Sequence, residues 1–226
     1  MQQFNDAHRD VVLELSMRRG LVAALDALTR DELDGTFGRP HDLDRPWPGG
    51  TSRRLVCLEP LSCMVVEGHP LADATRLGPE DLLEWGVWWP LDGSPAELLG
   101  FFRSFCEEHG LPTDCSGPNL GLSSFVHALH DRPERVSLVG SHWELPAGAG
   151  VRRIPFEPVP SYPWHFAWNA TDIHPVVRRM LAFFRESIPI DAAWTDPSRV
   201  WLPSVDRAEF DRSADDPGAT WCGGGP

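Results

Sequence analysis

Three loops of the sequence carry residue types that suit the binding of a small molecule. In α/β proteins, ligands bind outside the carboxyl ends of strands and at helix N-termini, where backbone N–H groups are free. Polar and glycine-containing loops follow three predicted strands, and they comprise Gly38-Arg39-Pro40, Asp92-Gly93-Ser94 and Gly140-Ser141-His142-Trp143. We predict that these loops line one binding site.

The residue types in these loops favour an anionic ligand. Gly38 permits close approach, and the guanidinium of Arg39 can make a two-pronged contact with a carboxylate. The helix after Ser94 directs free N–H groups toward the site, and His142 can donate a hydrogen bond to an anion. Asn119, in the turn Gly117-Pro118-Asn119-Leu120, is a further candidate contact.

Each candidate also has a purely structural interpretation. Arg39 could be solvated, or it could pair with Asp42 or Asp44. Ser94 has the type and position of an N-cap, with Glu97 three residues later completing a capping box. His142 could be structural, and Asn119 could be a cap or a turn residue.

Signals for catalysis or a metal are weak. The sequence contains no GxSxG, HExxH or P-loop pattern. His127 and His130, with His142 further along, are spaced i,i+3 on a predicted helix, which is more typical of surface or packing histidines than of a metal site, and Cys106 with His109 has only the spacing of an amphipathic helix. We predict no catalytic residue, no metal site and no cofactor. The five cysteines, Cys57, Cys63, Cys106, Cys115 and Cys222, are expected to be reduced, mostly buried thiols.

The composition argues against direct contact with DNA. The 226 residues carry a net charge of -13, and all 20 basic residues are arginine, with no cationic stripe. No stretch of about 18 apolar residues and no signal peptide is present, so we expect a cytoplasmic protein that does not enter a membrane.

The elements that would position the loops alternate between strand and helix. Asp10–Ser16 is predicted as a strand, Gly20–Asp31 as an amphipathic helix and Leu33–Pro40 as a second strand with its exit loop, which gives a βαβ unit with parallel pairing. A second unit begins with the strand Gly86–Pro90 and the helix Pro95–His109. Further predicted elements are strands at 54–59 and 61–67 meeting at Pro60, a short helix at 79–85, a helix at 121–130, strands at 135–139, 151–155 and 164–169, a proline-rich hinge strand at 157–163, and a helix at 175–187.

One junction identifies the family that the sequence resembles. A predicted strand ends in the tight turn His69-Pro70-Leu71-Ala72, and the elements on both sides follow in the order described above. This arrangement resembles the effector-binding domain of LysR-type transcriptional regulators. The resemblance covers about residues 4–187.

The resemblance implies an α/β fold of two Rossmann-like lobes joined by two hinge crossovers, as in type 2 periplasmic binding proteins. Lobe I would comprise residues 1–85 and 158–188, and lobe II residues 86–157. Residues 189–226 would form a C-terminal tail, docked to about residue 210 and disordered beyond it. The family's first strand has no counterpart here, so we expect exposed apolar surface in lobe I.

The resemblance also implies a function. The chain would sense a small-molecule effector in the cleft between the lobes, with the three loops and Asn119 lining the pocket. It would form a dimer or tetramer, with the helix Gly20–Asp31 as a candidate face, and would reach DNA only through a winged helix-turn-helix that this sequence does not contain. The alternative is a stand-alone solute-binding protein of the same two-lobe fold.

Overall fold

A computed structural model of the chain describes residues 2–141, 143–187, 196–215 and 221–222. Its helices are α1 Gln2–Ala7, α2 Gly20–Thr29, α3 Ala96–His109, α4 Leu122–Asp131, α5 Pro175–Ser187 and α6 Ser204–Asp215, with a 3-10 turn at Pro79–Leu82. Its strands are β1 Gly35–Gly38, β2 Thr51–Val66, β3 Val87–Trp88, β4 Thr113–Asp114, β5 Ser137–Gly140, β6 Val151–Ile154, β7 Val159–Asn169, β8 Val200–Trp201 and β9 Trp221–Cys222.

The long strand β2 runs through both lobes. Its first part, from Thr51 to Pro60, pairs antiparallel with β7, and its last residues, from Leu61 to Val66, pair with β5 and β6. The two strands predicted on either side of Pro60 therefore form one continuous strand. The chain returns to lobe I through β7, so two crossovers join the lobes, in the fold of type 2 periplasmic binding proteins.

Lobe I is held together by two helices on the sheet of β1, β7 and β2. The apolar face of α2, with Leu21, Leu25 and Leu28, is buried against β7, as its helical spacing predicts. Val177, Met180 and Phe184 of α5 pack with Phe4, Phe166 and Trp168. Both helices confirm the sequence prediction.

The predicted strand Asp10–Ser16 is wrong. These residues form no strand, and β1 pairs antiparallel with β7 instead of parallel with a strand before α2. An isolated extended segment has no neighbour to satisfy its backbone groups, so sequence propensity alone does not make it a strand. Val12, Leu15 and Met17 are 89%, 80% and 92% exposed, which confirms the expectation of uncovered apolar surface.

Lobe II contains the predicted parallel unit. β3 and β4 pair in parallel on either side of α3, and Trp88 N donates to the carbonyl of Val136 just before β5. The helix α3 ends at Gly110, which has φ 64 and adopts the left-handed conformation that suits glycine. Phe101, Phe102 and Phe105 fill the core of this lobe.

The predicted capping box at the start of α3 is wrong. The flanking residue is Pro95, and Ser94 makes no side-chain capping bond. The side chain of Glu97 instead accepts a hydrogen bond from Leu21 N, in the first turn of α2, with 2.6 Å between the atoms. A lobe II glutamate therefore caps a lobe I helix.

The His69 turn has a structural role. His69 is 4% exposed, its Nδ1 accepts from Leu71 N, and its ring lies 4.5 Å from that of Trp85.

None of the helices in the described ranges combines the length and the apolar character needed to cross a bilayer.

The C-terminal segment docks on both lobes. β8 pairs in parallel with β7, and Trp201 packs edge-on against Phe101 and Phe105 of α3. The helix α6 continues to Asp215, beyond the predicted end of the docked segment at about residue 210. Part of the predicted disordered tail, residues 216–220 and 223–226, lies outside the described residues.

Candidate functional site

A cavity of about 1190 Å³ lies between the two lobes. Lobe I contributes the segment 12–18, β1 with the residues before it, and parts of α2 and α5. Lobe II contributes the residues after β3, the start of α3, the turn before α4, and β5. The crossing strands β2 and β7 form the wall that both lobes share. A ligand in this cavity would contact both lobes.

Aromatic side chains form much of the lobe II wall. The ring of Trp89 stacks on Phe102 with centroids 3.9 Å apart, and Trp143 meets Phe125 edge-on at 6.0 Å. Trp89 is held in place by its Nε1, which donates to the carbonyl of Leu138. These rings offer broad apolar contact in fixed orientations.

The shared wall carries a carboxylate and two aromatic rings. Glu59 of β2 lies opposite Tyr162 of β7 in the antiparallel register, so their side chains are on the same face. Trp164 Nε1 donates to Glu59 Oε2 at 2.8 Å, and the rings of Tyr162 and Trp164 are 5.0 Å apart. Any Cβ at position 140 would collide with Glu59 Oε1, so Gly140 gives this carboxylate its space.

Glu97 places a second carboxylate at the cavity. It is 4% exposed, and its Oε1 accepts from Leu21 N, whereas its Oε2 has no hydrogen-bond partner in the described part of the chain. Burial raises the pKa of the Tyr162 phenol, and the charge of Glu97 raises it further, whereas the charge of Arg39 acts in the opposite direction.

Two of the predicted site residues line the cavity. Gly38 stands at the end of β1, where a Cβ would come within 2.9 Å of Leu21 Cβ. Asn119 lines the lobe II side, and its Oδ1 accepts from Gly121 N at 3.3 Å. Asn119 is therefore a turn residue, as its structural interpretation holds, and it also faces the cavity.

Four predicted residues lie beside the cavity without lining it. Asp92 Oδ2 accepts from Gly117 N, and the carbonyl of Gly93 accepts two bonds from Arg19. Ser94 only donates its N–H to Leu91. Ser141 Oγ is bonded to Ser62 Oγ at 2.7 Å. The lining residues at these loops are their neighbours, which are Leu91, Pro95, Gly140 and Trp143.

Arg39 and Pro40 are buried outside the cavity. Arg39 is fully buried, and its guanidinium donates to both carboxylate oxygens of Asp206, to Asp42 and to the carbonyl of Glu97. Burial disfavours the charged guanidinium, yet Asp206 and Asp42 raise the pKa of Arg39 above its usual value. The prediction of a free Arg39 facing a ligand therefore does not fit this geometry, and the partner Asp42 was among the structural alternatives.

Arg39 belongs to a buried polar cluster closed by α6. Glu209 of α6 accepts from His41 Nε2 at 2.5 Å and from Arg53 Nε at 3.1 Å. Burial favours the neutral acid, but the hydrogen bond from His41 and the charge of Arg53 lower the pKa of Glu209 to about 2. His165, beside them, is buried, which lowers its pKa to about 3 and keeps it neutral.

The histidines and cysteines considered for metal binding or catalysis do not form such a site in the described residues. His142 lies outside them. His127 is exposed beside Asp131, and His130 bonds to the carbonyl of Ala149. No group of metal-ligating side chains occurs within the described ranges. Burial raises the pKa of Cys63 to about 12 and that of Cys106 to about 11, so neither is a thiolate near neutral pH. Cys57 is exposed, unlike its predicted burial.

Sequence reasoning missed Glu59, Tyr162 and Trp164 and gave Glu97 a different role. Glu59 is an acid inside an otherwise apolar strand, just before Pro60, and this pattern could have drawn attention to it. The pairing of Glu97 with Leu21, 76 residues away, leaves no local signal.

Comparisons with known proteins agree with the fold. The family model described as the LysR substrate binding domain matches residues 1–189. The chain is similar in structure to the Synechocystis PCC6803 CcmR regulatory domain in complex with 2-PG, with 13% identity, a TM-score of 0.60, and coverage of 84% of this chain and 89% of that chain. It is also similar to HinK, a LysR family transcriptional regulator from Pseudomonas aeruginosa, with 19% identity and a TM-score of 0.63 over 82% of this chain and 64% of that one.

A third similar structure is the BenM effector binding domain with its effector benzoate, with 20% identity, a TM-score of 0.57, and coverage of 84% and 87% of the two chains. A comparison with curated protein sequences finds no significant match. The chain thus spans a little under two thirds of the HinK chain and most of the isolated regulatory domains.

Proposed function

The chain belongs to the family of LysR substrate-binding domains, and we propose that it senses a small organic effector bound between its two lobes. A ligand that contacts both lobes stabilises the interlobe arrangement in which all of its contacts are made. In a regulator that also carries a DNA-binding domain, stabilising one interlobe arrangement changes how the subunits are placed on the promoter and so controls transcription.

The observation that carries the proposal is the cavity itself. Small-molecule sites are concave, mostly apolar and lined by a few polar groups, with volumes of about 300–1,000 Å³. The cavity here is about 1190 Å³, has aromatic walls on lobe II and contains the side chains of Glu59, Glu97 and Asn119. The structures of relatives described with 2-PG and with benzoate support a small-molecule role.

The partners of the chain follow from the same proposal. With a net charge of -13, this part of a regulator leaves DNA contact to a winged helix-turn-helix domain and acts in the cytoplasm. Self-association into a dimer or tetramer is part of the proposal. The face of α2 that remains for it contains Val22 and Ala23, because Leu21, Leu25 and Leu28 are already buried. We assign no catalytic activity.

A thermal-shift screen tests effector binding. Metabolites that include acids, amines and neutral compounds are added to the protein, and a ligand that binds only the folded state raises its Tm. The blocking variant is Asn119→Trp, which places a large ring at the lobe II side of the cavity. The matched control is Leu120→Trp, because Leu120 is 72% exposed and does not line the cavity.

The expected result is at least one compound that raises the Tm of the wild type and of Leu120→Trp but not that of Asn119→Trp. A screen without any stabilising compound would contradict the proposal. So would a compound that stabilises Asn119→Trp as much as the wild type, because it would bind outside the cavity.

A further inference from the structure

The charged side chains of the cavity are mostly acidic. Apart from the phenol of Tyr162, the ionisable residues among those that line it are five carboxylates, one arginine and one histidine, namely Glu14, Glu32, Asp34, Glu59, Glu97, Arg18 and His174. Arg18 lies 3.9 Å from Glu32 on the lobe I rim, and His174 Nδ1 accepts from Val176 N. Neither Arg18 nor His174 forms an ion pair with Glu59 or Glu97 in the described part of the chain.

The arginine that was expected to face an anionic ligand is not in the cavity. Arg39 donates to Asp206, Asp42 and the carbonyl of Glu97, so its charge is neutralised inside the protein. The side chain of Arg19 is also engaged, with the carbonyl of Gly93. An anion entering the cleft would therefore meet carboxylates without a free guanidinium to compensate, which costs free energy.

Glu97 needs a hydrogen-bond donor at its second oxygen. Its Oε2 is buried, and no described residue bonds to it, whereas Oε1 is already used by Leu21 N. Leaving a buried carboxylate oxygen without a donor costs about 1–3 kcal/mol or more. Because Glu97 lines the cavity, a ligand can supply the missing donor.

Glu59 and the aromatic rings complete an environment that suits a cation. Glu59 lies opposite Tyr162 in the strand register, and Glu59, Tyr162 and Glu97 all line the cavity. Trp164 and Tyr162 stand beside Glu59, and the Trp89–Phe102 stack lines the same cavity. Aromatic faces attract cations electrostatically, most strongly where water is excluded.

We infer that the effector is an organic cation with N–H donors, a primary or secondary amine, whose ammonium group lies between Glu59 and Glu97 and whose apolar body contacts the aromatic wall. This inference rests on the proposed function and names its ligand class. It replaces the anionic effector expected from the sequence, because Arg39, which was expected to bind the anionic group, is paired with Asp206 and Asp42 inside the protein. The need of Glu97 Oε2 for a donor favours an amine over a quaternary ammonium, which has no N–H.

Matched sets of ligands test this inference. Each set is a primary amine, its quaternary trimethylammonium analogue, the corresponding alcohol and the corresponding carboxylate on one hydrocarbon body, beginning with the phenethyl and indolyl-ethyl series. Binding to the full chain is measured by titration calorimetry. The inference predicts that the primary amine binds about tenfold or more tightly than its alcohol and its carboxylate.

The variants Glu59→Gln and Glu97→Gln each remove one charge without removing the side chain. In Glu97→Gln the new amide oxygen can still accept from Leu21 N, so the cap on α2 is retained. Each variant is expected to lower the affinity for the amine by about tenfold or more and to leave the affinity for the alcohol unchanged. The matched control is Glu84→Gln, which removes an exposed acid that does not line the cavity and should leave amine binding unchanged.

Three outcomes would overturn the inference. One is a carboxylate or an alcohol that binds as tightly as its amine, and another is amine binding that survives both glutamine variants. The third is the absence of amine binding at millimolar concentration in every set. If a carboxylate binds and Asn119→Trp abolishes its binding, the charge assignment fails while the proposed effector site stands. If no compound of the matched sets or of the metabolite screen binds, both fail.

Discussion

Two groups of charged residues meet at Glu97, and they differ in whether each charge has a partner of opposite sign. Behind Glu97, Arg39 and the carboxylate of Asp206 form a buried pair with three hydrogen bonds between them, closed by α6. In front of Glu97, the carboxylates of Glu59 and Glu97 face the cavity without a cationic partner among the described residues. The first group holds two segments of the chain together, and the second is available to a ligand.

Structural charges in this molecule differ from functional ones in how strongly the fold depends on them. A buried charge that is fully paired is sensitive to the loss of its partner, because the remaining charge is left in a poorly hydrated place. A carboxylate that borders the cavity and forms no ion pair in the described residues has no charged partner to lose, so the fold needs its charge less and a ligand can use it. Substitutions in the two groups should therefore differ in their effects on stability and on binding.

Arg39→Met should have the largest effect on stability. The variant leaves Asp206 buried without its partner, and we expect a loss of about 3–5 kcal/mol in the free energy of unfolding. Urea denaturation measures it. A second variant, Arg39→Met with Asp206→Leu, removes both charges and should recover a large part of the loss. Equal losses in the single and double variants would show that packing, and not the unpaired charge, is responsible.

His165 should make the stability of the same group depend on pH. Burial lowers its pKa to about 3 in the folded state from 6.5, so the unfolded chain binds the proton more readily between these values. Stability is then lost as the pH falls below about 6.5, by about 2 kcal/mol between about pH 7 and about pH 5.

The comparison of wild type with His165→Gln isolates this effect. The variant cannot take up the proton, so its loss of stability over the same pH interval should be smaller by about 2 kcal/mol. The control is His127→Gln, whose side chain is exposed and which should follow the wild type. An identical pH profile for His165→Gln and wild type would contradict the burial of a neutral His165.

Glu59→Gln should change stability little. The glutamine oxygen can still accept from Trp164 Nε1, and the lost charge has no cationic partner in the described residues. We expect a change within about 1 kcal/mol in urea denaturation. A loss as large as that of Arg39→Met would place Glu59 among the structural charges and remove the contrast between the two groups.

Ser94→Ala should have the smallest effect. A true N-cap serine contributes about 1 kcal/mol, but Ser94 makes no side-chain capping bond, so the expected change is within about 0.5 kcal/mol. A loss of 1 kcal/mol or more in thermal or urea unfolding would restore Ser94 as the cap of α3 and weaken the assignment of Glu97 to α2.

Local patterns in the sequence predicted most of the fold. The apolar spacing of Leu21, Leu25 and Leu28 fixed the buried face of α2, and Gly110 marked the end of α3. The strand at 10–16 was mispredicted because a strand depends on a neighbour, which its own residues do not encode. The turn that begins at His69 indicated the family because its four residues are adjacent in the sequence and can be recognised without knowledge of the fold.

The candidate site was harder to predict because its decisive contacts are distant in sequence. Arg39 pairs with Asp206, 167 residues away, so its type and its loop suggested a ligand contact that the fold does not offer. Glu97 was recognised as a capping residue, but its true partner lies across the cleft. Gly38 and Asn119 line the cavity, as their loop positions indicated, and their contact with a ligand stays a prediction.

The most direct test of the contrast is titration calorimetry of the tightest-binding primary amine against three proteins. These are the wild type, Glu59→Gln from the cavity group and Asp206→Asn from the buried group, all measured well below their unfolding temperatures. We predict that Glu59→Gln loses about tenfold or more in amine affinity with stability nearly intact. We also predict that Asp206→Asn loses stability but binds as the wild type does. Unchanged affinity in Glu59→Gln together with lost affinity in folded Asp206→Asn would contradict the assignment of Glu59 to amine binding.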